Sequence, residues 1–303
     1  IHAPTSGEIK SIEKLPIPHP SGLPDYCVVI IPDKKDQWIQ KFPINWKKIG
    51  VDQTIKLLLN SGIVGLGGAA FPSHLKLGVN KANKINTLIV NAAECEPYIT
   101  CDDMLMREKS EELIKGIQLV QELLGAKETI IGIEDNKPEA FDQLNLFSKN
   151  KSSISTKVVP TIYPSGDAKR LIYLINGLKI PKQKRAAEYG IQMFNVATIV
   201  AIYRFIKFGE PSLSRIVTIT GNLHQPKNYE VLFGTSLKDL IKKSSLALAI
   251  IYTLGHVCIA MIVVSTMTGA SLWEAGAVAL IEPSINGVWF YVLHSLWKKA
   301  KGY

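Results

Sequence analysis

The sequence has few cysteines, and their spacing excludes the common cluster motifs. Its 303 residues include only four, Cys27, Cys95, Cys101 and Cys258, and no two of them form a C-x-x-C pair. Zinc sites and iron–sulfur clusters are usually built from such closely spaced pairs. The sequence therefore predicts no metal site, and we expect reduced, mostly buried thiols in a protein that faces the cytosol.

The sequence also lacks the pattern of a nucleic-acid interface. The net charge is +9, from 35 Lys and Arg against 26 Asp and Glu. The lysines are scattered along the chain, and no aromatic residues are interleaved with them on one face. Such a distribution is typical of a solvated surface, so we expect no nucleic-acid partner.

One long segment lacks charge altogether. From Leu246 to Met267 the chain contains no Asp, Glu, Lys or Arg. A helix of about 23 residues reaches roughly 34 Å, which is enough to cross a hydrocarbon core of roughly 30 Å. A second apolar stretch, 275–297, could cross back, and the flanking lysines predict that both ends lie in the cytoplasm. The alternative is a buried helical pair in a soluble fold.

Three polar residues fall inside this predicted hairpin, which we place at residues 243–303. They are His256, Glu282 and Asn286. Ionisable groups in a bilayer are often part of a proton or ion pathway. Hydrogen bonds between two transmembrane helices are the simpler use, and we favour that interpretation.

The preceding part of the chain changes its pattern twice. Residues 1–44 contain short β-type runs between Pro and Gly residues, which indicates a small all-β unit with a connector. In residues 45–208 buried apolar strands alternate with helical patterns, which predicts an α/β domain. Residues 209–242 give strand, turn, strand and short helix, a small α+β unit.

The densest chemical signal is the stretch "GLGGAAFPSHLKL". Gly65, Gly67 and Gly68 allow backbone amides to approach a ligand and form an anion nest, and Lys76 adds a positive charge for phosphate. The stretch also fits the dinucleotide fingerprint G-x-G-x-x-A. That fingerprint must follow a strand, whereas the segment before this loop has a helical pattern. A plain structural turn is the other alternative.

Three further motifs bring polar residues to the ends of predicted elements. "NAAECEP" follows an apolar strand, and its two glutamates would share one face of an extended segment. "YPSGDAKRL" and "FNVAT" each lie at the start of a helix, where caps and turns are the ordinary use of such residues. The residues of interest are Asn91, Glu94, Glu96, Gly166, Asn195 and Thr198.

Taken in order, these motifs resemble a family. Through "GLGGAAFP…K", "NAAECEPYITCDD", "YPSGDAKRLIY" and "FNVAT", residues 1 to about 242 resemble the C subunit of Rnf-type ion-translocating electron transport complexes. They are similar, more distantly, to the flavoprotein subunit of respiratory complex I. "HAPTSG" with "PHPSGL" is similar to the barrel-sandwich segment of that family, and "VTITGNLHQPKNYEV" to its β-grasp, or soluble-ligand-binding (SLBB), unit. The terminal hairpin resembles short, uncharacterised bacterial two-helix membrane proteins.

The resemblance implies a fold of four parts. An α/β FMN-binding domain (45–208) would be flanked by a small all-β barrel-sandwich unit (1–44) and a β-grasp unit (209–242), followed by a two-helix transmembrane hairpin (243–303). The family also carries two C-x-x-C-x-x-C-x-x-x-C-P runs for 4Fe–4S clusters, which this sequence lacks.

The resemblance also implies a set of site residues around non-covalent FMN. Phe71 would stack on a nicotinamide nucleotide, and Glu96 would bind its ribose. No side chain need act as a general acid or base, because the cofactor carries the chemistry. The implied FMN contacts are Gly65, Gly67, Gly68, Lys76, Asn91, Glu94, Gly166, Asn195 and Thr198.

The expected function is that of a membrane-associated protein that transfers electrons within a larger assembly. It would pass electrons from NADH toward other membrane subunits of an Rnf-type NADH:ferredoxin oxidoreductase complex. It would contact the lipid bilayer of the bacterial inner membrane, with its soluble part on the cytoplasmic side. The alternatives are a non-catalytic tethered scaffold or degenerate fusion without the iron–sulfur segment, and a receptor that binds a soluble ligand through the β-grasp unit.

Overall fold

The computed structural model describes residues 2–17, 21–78, 83–221 and 226–241, and the short stretches 261–262, 265–266, 269 and 271–273. The chain divides into two compact units, residues 1–218 with 228–235 and residues 219–227 with 236–303. Every predicted cofactor residue lies in the first unit.

The chain begins with a two-stranded antiparallel ribbon. Strand β1 (Gly7–Pro16) pairs with β2 (Pro24–Pro32), from Gly7 opposite Pro32 to Pro16 opposite Pro24. Prolines occupy strand ends here, where a missing N–H costs least. A Cβ on Gly7 would lie 2.1 Å from the carbonyl oxygen of Ile31, so only glycine fits at the start of the ribbon.

A four-stranded parallel sheet forms the centre of the first unit. Its strand order is β5–β4–β3–β6. The four strands are β3 (Thr87–Ala92), β4 (Glu128–Glu134), β5 (Ile154–Val159) and β6 (Ile191–Asn195). The central strands β3 and β4 are mostly buried apolar runs, as expected for parallel strands covered on both faces, whereas the edge strand β5 is more polar and exposed.

Eight α-helices surround these strands in the part of the chain that the structure describes. Leu88 and Val90 pack into one buried cluster with α5 and α8, and Ile89 packs into a second cluster with α7. This alternation is what a pleated strand with both faces buried requires. The helices are α1 (Trp46–Ile49), α2 (Val51–Asn60), α3 (Ser73–Leu77), α4 (Cys101–Glu108), α5 (Ser110–Leu124), α6 (Pro138–Ser148), α7 (Ala168–Asn176) and α8 (Val196–Phe208).

The order of the strands creates a switch point at the carboxyl end of the sheet, the place where open α/β sheets form a crevice. From β3 the chain proceeds to β4 and β5 on one side, and β6 then pairs with β3 on the other side. β3 and β6 are therefore neighbours in the sheet, although β4 and β5 lie between them in the chain. In open α/β sheets, ligands bind outside the carboxyl ends of the strands at this kind of switch point. Asn91 and Asn195, at the ends of β3 and β6, are paired in register there.

A second two-stranded ribbon follows α8. It consists of β7 (Ser214–Ile219) and β8 (Lys227–Leu232). Searching only the described residues reveals no helix with the length and apolar character needed to cross a bilayer. The predicted hairpin 243–303, with His256, Glu282 and Asn286, lies almost wholly outside the described residues.

Candidate functional site

The glycine-rich segment forms a tethered loop beside α8. The N–H of Gly65 donates to the carbonyl oxygen of Phe71 at 2.8 Å, which closes the base of the loop. The N–H of Leu66 donates to Oγ1 of Thr198 at 2.9 Å. Thr198 is buried in the first turn of α8, so the loop is fixed at the amino end of that helix.

The crest of this loop, residues 67–70, presents free backbone amides. All four residues are exposed, and within the described part of the chain none of their N–H groups has a hydrogen-bond acceptor. Gly68 and Ala70 have positive φ angles of 103° and 48°. Successive amides in such turns form concave anion sites, and a Cβ on Gly68 would meet open space.

Asn195 connects the loop to two helices. Its Oδ1 accepts hydrogen bonds from the N–H groups of Ala197 and Thr198, at 2.9 and 3.3 Å, and so caps α8. Its Nδ2 donates to Oδ2 of Asp102 at 2.5 Å. A Cβ on Gly67 would lie 3.1 Å from the Cβ of Asn195. The glycine loop therefore rests directly on this side chain, whose second N–H has no acceptor among the residues that the structure describes.

Asn91 fastens a second loop to the end of β3. Its Nδ2 donates to the carbonyl oxygen of Gly166 at 2.9 Å, and its Oδ1 accepts from the N–H of Ala93 at 3.1 Å. A Cβ on Gly166 would lie 2.9 Å from the carbonyl oxygen of Ala93, which explains the glycine. Asp167 then caps α7 through the N–H of Arg170.

Glu94 is a buried helix cap. It is 7% exposed, and its two carboxylate oxygens accept from the N–H groups of Asp102 and Asp103 at 2.8 and 3.1 Å. Nζ of Lys137 lies 3.9 Å from the same carboxylate. Glu96, in contrast, is exposed, because the chain bends there. The prediction that Glu94 and Glu96 share one face is therefore wrong.

A cluster of acidic groups lies where α4 begins. Burial and then the Glu94 carboxylate raise the pKa of Asp102 to about 7, against the opposing effects of the Asn195 hydrogen bond and Arg215. Burial and the same two carboxylates raise the pKa of Cys101 to about 12. Possible ligand atoms of Glu94, Cys101 and Asp102 lie within 4.8 Å of one another. Proximity of such groups alone does not make a metal site, so we assign no metal to them.

The Lys76 side chain contacts the edge strand β6. Its Nζ donates to the carbonyl oxygen of Met193 at 3.1 Å and lies 5.3 Å from the centre of the Phe194 ring. Burial lowers the pKa of Lys76. An ammonium group has three donors, and among the described residues only the Met193 carbonyl oxygen accepts from this one.

Several residues of this region were not predicted from the sequence. Asp102 is one, and Glu134 is another, at the carboxyl end of β4. Glu134 is buried, burial raises its pKa, and both of its carboxylate oxygens lack a hydrogen-bond partner among the described residues. The sequence feature that could have indicated Glu134 is an acidic residue at the end of an apolar strand, as in "IIGIED".

Comparisons with known proteins identify relatives of this chain. Residues 58–204 match the family model Complex1_51K, described as the Nuo51 FMN-binding domain. The C subunit of an ion-translocating oxidoreductase complex from Haemophilus influenzae (strain PittEE) is 44% identical over 243 residues, covering 80% of this chain and 37% of the relative. The corresponding protein from Serratia proteamaculans (strain 568) is 45% identical over 244 residues, covering 80% and 35%.

A solved structure shares the fold. The crystal structure of an NAD+-reducing NiFe-hydrogenase in the air-oxidized state matches 65% of this chain and 39% of its own, with a TM-score of 0.57 and 23% identity. The chain spans little more than a third of the length of the curated relatives. Over about four fifths of its own length, this chain belongs to the family of C subunits of ion-translocating oxidoreductase complexes, and it carries an α/β domain of the Complex1_51K type.

Proposed function

We propose that the first unit binds FMN in the crevice between β3 and β6 and transfers electrons from a nicotinamide nucleotide to a partner protein. The observation that carries this proposal is the crest at residues 67–70, whose amides have no acceptor in the described part of the chain and which lies beside the switch point of the sheet. The family membership supports the identity of the cofactor.

The residues present fit a phosphorylated flavin. The crest offers several N–H donors in a row, and there is open space where a side chain on Gly68 would stand. Gly67 can have no side chain without pressing on Asn195. Lys76 retains donors and a positive charge close to the same strand end. Amides and one ammonium group are a suitable donor set for a phosphate.

The predicted contacts then have two kinds of role. Gly65, Gly67, Gly68 and Lys76 would bind the phosphorylated end of the cofactor. The remaining five hold the walls of the crevice through the hydrogen bonds described above, and of these the side-chain amides of Asn91 and Asn195 would contact the rest of the flavin. These five are Asn91, Glu94, Gly166, Asn195 and Thr198.

The nucleotide would bind next to two exposed side chains. Phe71 is 46% exposed, and Glu96 is exposed with no Lys or Arg in ion-pair distance within the described residues. An aromatic ring can stack on a planar base, and a carboxylate can accept hydrogen bonds from ribose hydroxyls. Bound FMN would supply hydride acceptance from the reduced nucleotide and one-electron transfer to a partner, while Phe71 and Glu96 would hold the nucleotide.

The onward acceptor is proposed from the family. Its members are named as subunits of ion-translocating oxidoreductase complexes, so we propose other subunits of such a complex as partners, at the cytoplasmic face of the bacterial inner membrane. The 4Fe–4S clusters expected for full-length members would follow the flavin in that path. A non-catalytic tethered scaffold is the alternative.

Anaerobic reduction separates these two functions. The protein is loaded with FMN, and the absorbance of the bound flavin is followed as NADH is added. The proposal expects bleaching of the flavin and turnover with an artificial acceptor. Bound flavin that NADH does not bleach would favour the scaffold, and a protein that takes up no FMN would overturn the proposal.

A further inference from the structure

Tyr98 has an unusual backbone and an exposed ring. Its φ angle is 67°, in the left-handed region that bulky side chains rarely adopt. Its side chain is 82% exposed, so burial of the ring does not compensate for this conformation. A strained residue of this kind persists only where its surroundings impose the backbone, and such residues are common at ligand sites.

The turn that carries Tyr98 is held at its amino-terminal end by the acidic cluster around Glu94. Glu94 is fixed by the first amides of α4, as described above. The N–H of Ile99 donates to the carbonyl oxygen of Glu96 at 3.4 Å, which closes the turn around Tyr98. The backbone before Tyr98 is therefore tied to the same helix start that contacts Asn195.

Hydrogen bonds among three polar residues, Thr100, Thr218 and Asn228, hold the carboxyl-terminal end of this turn. The N–H of Thr100 donates to Oγ1 of Thr218 on β7 at 3.1 Å. Nδ2 of Asn228 on β8 donates to the carbonyl oxygen of Thr100 at 3.1 Å, and its Oδ1 accepts from Thr218 at 2.7 Å. Both backbone polar groups of Thr100 are thus bound by the second ribbon, so the ribbon sets the position of the turn.

We propose that Tyr98 stacks on a planar ring of the nicotinamide dinucleotide, beside Glu96, and that Asn228 is a positioning residue for this turn. The inference rests on the proposed function. An exposed ring and an exposed carboxylate two residues apart, on a turn fixed at both ends, match the base and ribose of a nucleotide. A turn that is already ordered loses little conformational entropy when the nucleotide binds.

Calorimetric titration of NAD+ into the FMN-loaded protein tests the stacking role. We expect Tyr98→Gly to weaken NAD+ binding about tenfold, in line with the stacking of one base, while Tyr98→Phe stays within about twofold. The melting temperature of Tyr98→Gly should not fall, because glycine adopts positive φ freely. Tyr26→Ala is the matched control, since Tyr26 is 68% exposed on β2, outside the site.

Two fragments of NAD+ show which of its rings stacks on Tyr98. ADP-ribose has adenine without nicotinamide, and nicotinamide mononucleotide has the reverse. Whichever fragment loses affinity with Tyr98→Gly contains the stacked ring. Tyr98→Gly with NAD+ affinity equal to wild type would overturn the stacking role while leaving the proposed function intact. A wild type that binds FMN but not NAD+ overturns the inference and the nucleotide step, and one that binds no FMN overturns the whole proposal.

Hydrogen exchange tests the positioning role of Asn228. We expect Asn228→Ala to speed exchange of the amides at residues 99–102 at least tenfold and to weaken NAD+ binding several-fold, with FMN affinity within about twofold of wild type. A purely structural role would lower FMN and NAD+ affinity together with the melting temperature. Unchanged hydrogen exchange at residues 99–102 would also overturn the positioning role of Asn228.

Discussion

Asn91 and Asn195 are paired in register at the carboxyl ends of β3 and β6, and each fastens a different wall of the crevice. Asn91 holds the loop of Gly166, and Asn195 holds the start of α8 and the start of α4 through Asp102. Two amide side chains therefore fix the distance between the loops that a flavin would contact.

Removing the Asn195 side chain should cost stability as well as cofactor affinity. Asn195→Ala loses the cap of α8 and the hydrogen bond to Asp102, and we expect the free energy of unfolding to fall by about 2 kcal/mol. Denaturation in urea measures this. Asn176→Ala is the control, because Asn176 makes a single exposed bond to the N–H of Leu178. Equal losses for the two variants would contradict the bridging role of Asn195.

The stability of the protein should depend on Asp102 between pH 4 and pH 7. Its pKa is about 7 in the folded protein, above the ordinary value of about 3.9 in an unfolded chain. The folded state therefore binds more protons in this window, and its stability falls as the pH rises. We expect the stability of Asp102→Asn relative to wild type to increase from pH 5 to pH 8. A constant difference would show that Asp102 titrates normally.

The glycine loop should tolerate no side chain at its crest. Gly67→Val would press on Asn195 and cover the neighbouring amides, so we expect FMN affinity to fall more than tenfold. Fluorescence titration with FMN measures this. Gly78→Ala is the control, because a Cβ there meets nothing within 4 Å and the backbone φ is −70°. Loss of affinity in both variants would indicate a general effect on folding.

The attachment of the second ribbon, β7–β8, to α5 should depend on Arg204. This side chain donates to both oxygens of Glu112 on α5, at 2.7 and 3.1 Å, and to Glu230 on β8 at 3.3 Å. We expect Arg204→Ala to lower the free energy of unfolding by about 2 kcal/mol and Arg204→Lys to restore little, because lysine lacks the forked geometry. Lys115→Ala, which removes an exposed pair with Glu111, should cost much less than Arg204→Ala, because solvent screens an exposed ion pair.

The sequence contained enough information for the layers of the fold. Apolar strands alternating with helical periods predict the α/β domain, and Gly125 ends α5 in the left-handed conformation, a common use of glycine at a helix end. These features depend on neighbours in the chain, so local patterns reveal them.

The contacts around the site could not be predicted in the same way. Asn195 meets Asp102, and Asn228 meets Thr100, across 93 and 128 positions of the chain. Glu94 was expected to face a ligand, yet it caps α4, because the strand ends at Ala92 and the chain turns toward the helix. No single-sequence pattern encodes which distant amide a carboxylate will reach.

The most direct test of the account is a titration of the flavin-free protein with FMN and, separately, with riboflavin, following the quenching of flavin fluorescence. The amide crest and Lys76 would bind the phosphate, which riboflavin lacks. We predict saturation at one FMN per chain and at least tenfold weaker binding of riboflavin, equivalent to about 1.4 kcal/mol. Equal affinity for the two ligands, or no saturation with FMN, would contradict the account.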